Sequence, residues 1–370
     1  MTRLGDVCAI RYGKDHKKLS DGSIPAYGSG GIIRYVDTAI CEKPSVLIPR
    51  KGTLGNLFYT DKPFWTVDTL FWTNIDQTKI VPKYLYYQLK QKDLASYNVG
   101  TAVPSLTVEI LNEIDFEVPS IDKQKRIVEV LNSFDSKIAL NNQLNDYLEQ
   151  LCQSLFDRFD NDENNLFAKV SDIADVNPRR TLKKGEEALC VEMADLSTTG
   201  AFPTDWRTKA YNGGVKFVNG DTILARITPC LENGKAGYIN FLEQDEVAFG
   251  STEYIVLTSK GELPSEFFYF LARNEDFISY ATAHMNGSSG RQRVSGADVG
   301  NYEVRMPSEK QVSEFKEIAG KAMRVISASS IESRKLAQSR DALLPKLMSG
   351  EIDVSEVDLT QPTNNHLADC

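Results

Sequence analysis

Asp115-Phe116-Glu117-Val118-Pro119-Ser120, followed by Gln124 and a long helical pattern, returns as Asn301-Tyr302-Glu303-Val304-Arg305-Met306-Pro307-Ser308, followed by Gln311 and a second long helical pattern. Two copies of one exit segment in a single polypeptide imply two similar modules, and so a device that touches its target in two places.

Upstream segments match in the same order. Leu4-Gly5-Asp6-Val7-Cys8-Ala9-Ile10 pairs with Val170-Ser171-Asp172-Ile173-Ala174-Asp175-Val176, each a short apolar run around an Asp. Buried-strand patterns follow at Ser45-Val46-Leu47-Ile48-Pro49-Arg50 and Asp221-Thr222-Ile223-Leu224-Ala225-Arg226, and each delivers an Arg into a glycine-bearing loop. Val81-Pro82-Lys83-Tyr84-Leu85-Tyr86-Tyr87-Gln88-Leu89 then matches Leu263-Pro264-Ser265-Glu266-Phe267-Phe268-Tyr269-Phe270-Leu271, a Pro-started helix whose aromatic side reads as core. A small polar loop comes next in each copy, Val99 to Ser105 and Asn286 to Arg293. The offset between copies grows from 166 (Val7 to Ile173) through 182 (Pro82 to Pro264) to 187 (Gln124 to Gln311), so the second copy carries insertions, mostly in its first half.

From Gln124 to Phe159 there is neither Gly nor Pro, and apolar residues recur at Ile127, Leu131, Phe134, Ile138, Leu144, Leu148, Leu151 and Leu155. Steps of three and four describe one stripe with a phase slip near Asn141, the pattern of a helix packed along another. The counterpart, Val312 to Leu344, places Ile318, Ala322, Val325, Leu336 and Leu343 on similar spacing; Pro345 is expected to stop or kink it, with Gly350 beyond. A helix of about 36 residues rises roughly 54 Å, more than a small domain needs. The expected arrangement is an antiparallel pair acting as a spacer, with polar Asn141 and Glu332 fixing register; the alternative is that each helix folds back on its own module. Asp160-Asn161-Asp162-Glu163-Asn164-Asn165 reads as a polar hinge and Ser355 to Cys370 as a flexible tail.

With 370 residues, 41% hydrophobic and 25% charged, the chain has the composition of an ordinary soluble protein. No leader-like apolar segment opens it and no run of about 18 apolar residues could span a bilayer, so a cytoplasmic location is expected, with no membrane partner. Cys8, Cys41, Cys152, Cys190, Cys230 and Cys370 lack CxxC spacing, and His16, His284 and His366 are the only histidines. Reduced thiols are expected, and no metal. A net charge of −9 argues against a protein that coats nucleic acid indiscriminately, since such binding rests on phosphate neutralisation. Residues 1 to 119 are roughly neutral, whereas 161 to 306 are acidic.

Catalytic constellations are missing. Gly28-Ser29-Gly30-Gly31 is not followed by Gly-Lys-Ser/Thr, so it is no Walker site, and Phe249-Gly250-Ser251 lacks the other glycines and the Asn-Pro-Pro-aromatic motif of a methyltransferase. Asn177-Pro178-Arg179 is only a turn. Three histidines leave little for acid–base schemes. What remains are polar loops. Arg50-Lys51-Gly52-Thr53-Leu54-Gly55-Asn56 combines a guanine reader, a phosphate cation and an amide suited to adenine. Arg226-Ile227-Thr228-Pro229-Cys230-Leu231-Glu232-Asn233-Gly234-Lys235 offers the same menu plus a carboxylate. DNA-contact candidates are therefore Tyr27, Ser29, Arg34, Arg50, Lys51, Thr53, Asn56, Thr101 and Ser105 in the first copy, and Arg226, Thr228, Asn233, Lys235, Ser288, Ser289, Arg291, Gln292 and Arg293 in the second. Solvated turn chemistry is the competing reading for any one of them; recurrence at equivalent places favours function.

This layout resembles the specificity subunit of a type I restriction-modification system. The resemblance is carried by the two exit segments, the helix starts at Gln124 and Gln311, and the ending Leu343-Leu344-Pro345-Lys346-Leu347-Met348-Ser349-Gly350-Glu351-Ile352, and it extends to about Val354. It implies an α+β chain with two similar globular target recognition domains separated by a pair of long antiparallel coiled-coil helices, a pseudo-two-fold internal repeat. The expected order is a first recognition domain over 1–120, a spacer helix over 121–160, a second recognition domain over 161–308, a second helix and terminal segment over 309–354, and a tail over 355–370. Each domain would read half of a bipartite, asymmetric site on double-stranded DNA. The resemblance further implies two modification subunits that methylate adenine with S-adenosylmethionine and restriction subunits that use ATP and Mg, with no cofactor and no catalysis in this chain. Partner subunits supplying the phosphate contacts would account for the acidity, and the isolated chain is expected to bind DNA poorly. A protein-binding adaptor with duplicated modules is the alternative.

Overall fold

The computed structural model describes residues 1–100, 103–161, 166–288 and 290–354. Most of the expected hinge and the whole tail from Ser355 lie outside them. The chain divides into two compact units, Met1–Asp135 together with the chain from Gln338 onward, and Ser136–Ala337.

In the first unit, Cys8–Tyr12, Leu70–Ile75, Ser45–Pro49 and Phe58–Thr60 form, in that order, an antiparallel four-stranded sheet. Ser45–Pro49 is central and buried at every position, which is why it reads as a continuous apolar run. A second sheet orders Gly31–Val36, Asp21–Gly28 and Trp65–Thr66, and a short pair joins Thr2–Arg3 to Asp115–Phe116, the exit segment. The second unit repeats this plan. Ala174–Val176, Tyr254–Ser259, Thr222–Ala225 and Ala236–Tyr238 form one sheet, Arg207–Ala210, Glu187–Val191, Ala248–Gly250 and Lys216–Phe217 another, and Phe167–Lys169 pairs with the second exit segment at Glu303–Arg305.

Equivalent aromatic helices close each core. Pro82–Lys90 buries Tyr84, Leu85, Tyr87 and Leu89, and Glu266–Arg273 buries all of Phe267 to Ala272, so these rings are packing. Cys8, Cys41, Cys152, Cys190 and Cys230 are unpaired, and burial pushes the Cys8 and Cys152 thiols up to about 12, far from nucleophilic. No helix among the described residues is long and apolar enough to cross a membrane.

The long helices run Ile121–Phe156 and Glu309–Ser349. The second does not stop at Pro345. A proline so near the end forfeits one backbone bond, while Leu344 and Leu347 on either side are buried in the first unit's core and hold the last turns in place; Gly350 then terminates the helix at φ +76°. In the first unit Ile127 and Leu131 are buried with Leu344 and Leu347, while Phe134 and Leu343 pack against them, and Arg340 bonds Asp135 at 2.6 Å. In the second unit Asn141, buried, donates to Glu332 at 2.7 Å and to Ser333 at 3.2 Å, and Asn145 donates to Ser330 at 3.2 Å, so these segments pair antiparallel.

Two expected pairing residues depart from the seam. Leu151 and Val325 are exposed, and the next residues along, Cys152 and Ile326, occupy the core instead with Leu155, Phe156, Phe315, Ala322 and Met323; Leu148 and Ile318 pack against this cluster. Ile138 and Leu336 are half-buried. A helix turns about 100° per residue, so a stripe extended across the slip near Asn141 arrives one residue out of phase.

Candidate nucleic-acid interface

The loops after the central strands are held by matching backbone bonds in both units. Arg50 N–H donates to the Thr69 carbonyl (2.8 Å), Leu106 N–H to the Arg50 carbonyl (2.9 Å) and Gly52 N–H to the Pro104 carbonyl (3.1 Å). In the second unit Arg226 donates to Glu253 (2.9 Å), Val294 to Arg226 (3.0 Å) and Thr228 to Gln292 (3.1 Å). Lys51 faces Ser105 as Ile227 faces Arg293, each an isolated antiparallel bridge. Each Arg-bearing loop is thus clamped to the small polar loop that follows the aromatic helix. The contacts between the two loops join residues more than 50 apart in sequence, and they bring two predicted loops to one place in each unit.

A third loop joins them in the first unit. Asn56 Nδ2 donates to the Ser29 carbonyl at 3.2 Å, and a Cβ on Gly52, whose φ is +93°, would sit 3.5 Å from Ser29 Oγ. Lys51, Thr53 and Asn56 are exposed, and Ser29 and Ser105 half-buried. The Arg50 guanidinium donates to the Asp68 carbonyl (3.0 Å) and stands 5.5 Å from the Tyr12 ring centroid, which orients it without neutralising it. Tyr27 packs its ring against Phe58, and burial pushes its hydroxyl pKa up. Arg34 is turned to its own hairpin, donating to the Leu19 carbonyl and to Asp21. Thr101 lies outside the described residues.

In the second unit, Arg226 is half-buried and its Nε is enclosed without a hydrogen-bond partner among the described residues. Beside it, Glu253 takes three bonds from Arg293, at 3.0, 2.8 and 2.7 Å; the bonds from Arg293 hold the Glu253 carboxyl below its usual range. Thr228 Oγ1 also reaches the Gln292 carbonyl (3.4 Å). Asn233, Ser288 and Arg291 are exposed. Lys235 is drawn to the Met193 carbonyl at 2.8 Å, which removes it from the loop pair. Ser289 lies outside the described residues.

Sequence reasoning passed over Tyr12, the exposed basic stretch Arg11, Lys14, Lys17 and Lys18, and Glu253. The signal for the first group was present as Arg11-Tyr12-Gly13-Lys14-Asp15-His16-Lys17-Lys18. Nothing local marks Glu253, whose role comes from a partner 40 residues away.

Residues 1–150 match the family model of the type I restriction modification DNA specificity domain. Over 366 aligned residues the chain is 23% identical to the type I restriction enzyme MjaIX specificity subunit of Methanocaldococcus jannaschii, covering 88% of this chain and 81% of that one. It is 30% identical over 144 residues to the type I restriction enzyme EcoEI specificity subunit of Escherichia coli, covering 37% of this chain and 24% of the relative. Among solved structures, the S subunit of a type I restriction-modification system from M. genitalium aligns with a TM-score of 0.58 at 17% identity, covering 94% of this chain and 95% of the other. At that identity the likeness is one of fold.

Proposed function

We propose that this chain is a type I restriction-modification specificity subunit, a reading supported by the domain match over residues 1–150 and by the 23% identity over 366 residues, and that its two units each read one half of a bipartite DNA site through their clamped loop pairs. The observation that carries this reading is the repeated clamp: Arg50 and Arg226 stand at the same point of the same backbone pattern, each with its main chain fixed by backbone bonds. A bidentate guanidinium is the commonest reader of guanine, and a rigid frame is what makes its position informative. The chain itself is a non-catalytic specificity subunit. Methylation of adenine with S-adenosylmethionine is assigned to two modification subunits, and cleavage with ATP and Mg to restriction subunits.

Docking of the modification subunits is supported by a second feature. Leu140, Leu144, Tyr147 and Leu151 are exposed at 59, 43, 61 and 48%, at steps of four, three and four along the first long helix. An outward heptad stripe fits an amphipathic partner helix. Leu144→Lys is expected to abolish co-purification with the modification subunit while leaving the chain folded by circular dichroism. The same stripe also favours the reading of a protein-binding adaptor, and comparing assembly with and without target DNA separates the two.

The test of DNA reading is the mapped set of methylated adenines in cells that express this chain with its modification partner. Arg50→Ala and Arg226→Ala are each expected to weaken one half-site only, by about 1–3 kcal/mol. An unchanged methylated sequence in both variants would remove these residues as readers. Inserting four residues near Asn141 is expected to change the gap between half-sites and leave their bases as they were.

A further inference from the structure

The edge strand Gly31–Val36 of the first unit carries side chains that an edge strand ordinarily avoids. Its pairing with Asp21–Gly28 runs Ala26 to Arg34 and then Tyr27 to Ile32, so Ile33 is an extra residue with nothing opposite, a bulge. Alternation along a strand would send Ile32 and Ile33 to opposite faces. With the bulge between them and their neighbours, both stand in solvent, at 48 and 50% exposure, with Tyr35 at 52%. The corresponding edge of the second unit, Arg207–Ala210, is polar, with Arg207 and Lys209 paired to Glu192, Asp195 and Asp205. Charge of that kind is how edges are normally protected.

The hairpin is tied to the reading loops. At its tip the Ser29 carbonyl accepts from Asn56 Nδ2, beside Gly52, the residue after Lys51 in the Arg50 loop. At its other end Arg34 bonds the Leu19 carbonyl and Asp21, and the exposed Lys17 and Lys18 immediately precede Leu19 in the sequence. Apolar side chains flanked by exposed cations on either side match a phosphate-lined surface with an apolar feature inside it. In the DNA major groove that feature is the 5-methyl group of thymine. We propose that Ile32 and Ile33 read a thymine methyl within the first unit's half-site, an assignment that rests on the reading of this chain as a specificity subunit.

The experiment uses the complex of the full chain with its modification partner, and duplexes that carry the mapped site with each thymine of one half-site replaced in turn by uracil. The half-site is the one that Arg50→Ala weakens. Wild type is expected to lose binding about fourfold at one position or more, the worth of one buried methyl, and the Ile32→Ala and Ile33→Ala variants are expected to bind thymine and uracil duplexes alike. Uniform binding of all duplexes by wild type overturns the proposal, as does methyl dependence that survives in both variants. Loss of complex assembly without DNA, with methyl dependence intact, would reassign the hairpin to a protein contact and overturn it too. Failure of the underlying reading looks different: cells that express this chain with its modification partner would then show no defined methylated sequence.

Discussion

Arg50 and Arg226 occupy one position in a repeated backbone, yet their surroundings are wired differently. The Arg50 N–H bonds the carbonyl of Thr69 and its loop is bridged through Ser105, whereas Arg226 has Glu253 and Arg293 at those two places, locked together by three bonds. The first unit adds an apolar hairpin, and the second a charged edge strand. A shared scaffold thus fixes where readers stand while side chains decide what they are. The same division holds at the aromatic helices, where Tyr87 donates to Asp135 and Tyr269, at the equivalent position, donates to Glu149, both at 2.5 Å. Asp135 also has Arg340 at 2.6 Å and Lys83 at 3.6 Å; Glu149 has no ion pair within 4 Å among the described residues.

That contrast sets the largest expected effect. Arg340→Ala leaves the Asp135 carboxylate, whose side chain is 23% exposed, without its main counter-charge, and a cost of about 2–3 kcal/mol is expected, below the value for a fully buried pair. Tyr269→Phe removes one donor from Glu149 and should cost about 1–2 kcal/mol. Hydrogen exchange of the helices Pro82–Lys90 and Glu266–Arg273 reads each unit separately. Equal losses in the two variants would show that Arg340 is worth no more to Asp135 than the tyrosine bond is to Glu149.

The two carboxylates should also respond to pH with opposite sign. Burial raises the Asp135 pKa, but hydrogen bonds from Tyr87 and Arg340 and the charges of Arg340 and Lys83 outweigh it and leave the pKa low. Its contribution is therefore complete above the unfolded value of about 3.9 and is lost as pH falls through the folded one. Glu149 is raised by burial, which the Tyr269 hydroxyl only partly offsets. Here the folded state binds the proton more tightly, so stability declines as pH rises from the unfolded value of about 4.3 through the folded one. Glu149→Gln is expected to raise exchange protection in the second unit at pH 7, with the gain vanishing near pH 4; Asp135→Asn should lower protection in the first unit at pH 7. A shared direction for both would break the contrast.

Much of this plan was legible in the chain. Proline and glycine punctuation, the doubled exit segments and the buried strands ending in Arg located the modules and the loops, because these features are local. What escaped depends on partners distant in sequence. Which face of the helix Leu151 occupies is set by packing against Phe315 and its neighbours, and a one-residue slip moves a side chain by about 100°. The bulge at Ile33 exists only relative to Ala26 and Tyr27 on the facing strand. Arg34 and Lys235 offered the right chemistry for DNA, but Asp21 and the Met193 carbonyl hold them within the fold.

The smallest expected effect tests the pair that distinguishes the second loop clamp. Glu253 and Arg293 are partly exposed, at 26 and 38% of their side chains, so Glu253→Gln should change stability by less than about 1 kcal/mol. Its effect on DNA should be clearer. With the carboxylate gone, the Arg293 guanidinium keeps its charge and is free to meet a phosphate, so one more counterion is released on binding. The slope of log affinity against log salt for the assembled complex should then steepen by about 0.9, while the methylated sequence stays as it was. Thr69→Gln in the first unit frees no cation, because Ser105 stands where Arg293 does, and the slope should not move. An unchanged slope in Glu253→Gln would place Arg293 outside the DNA contact, and a changed sequence would make the pair a reader of bases in its own right.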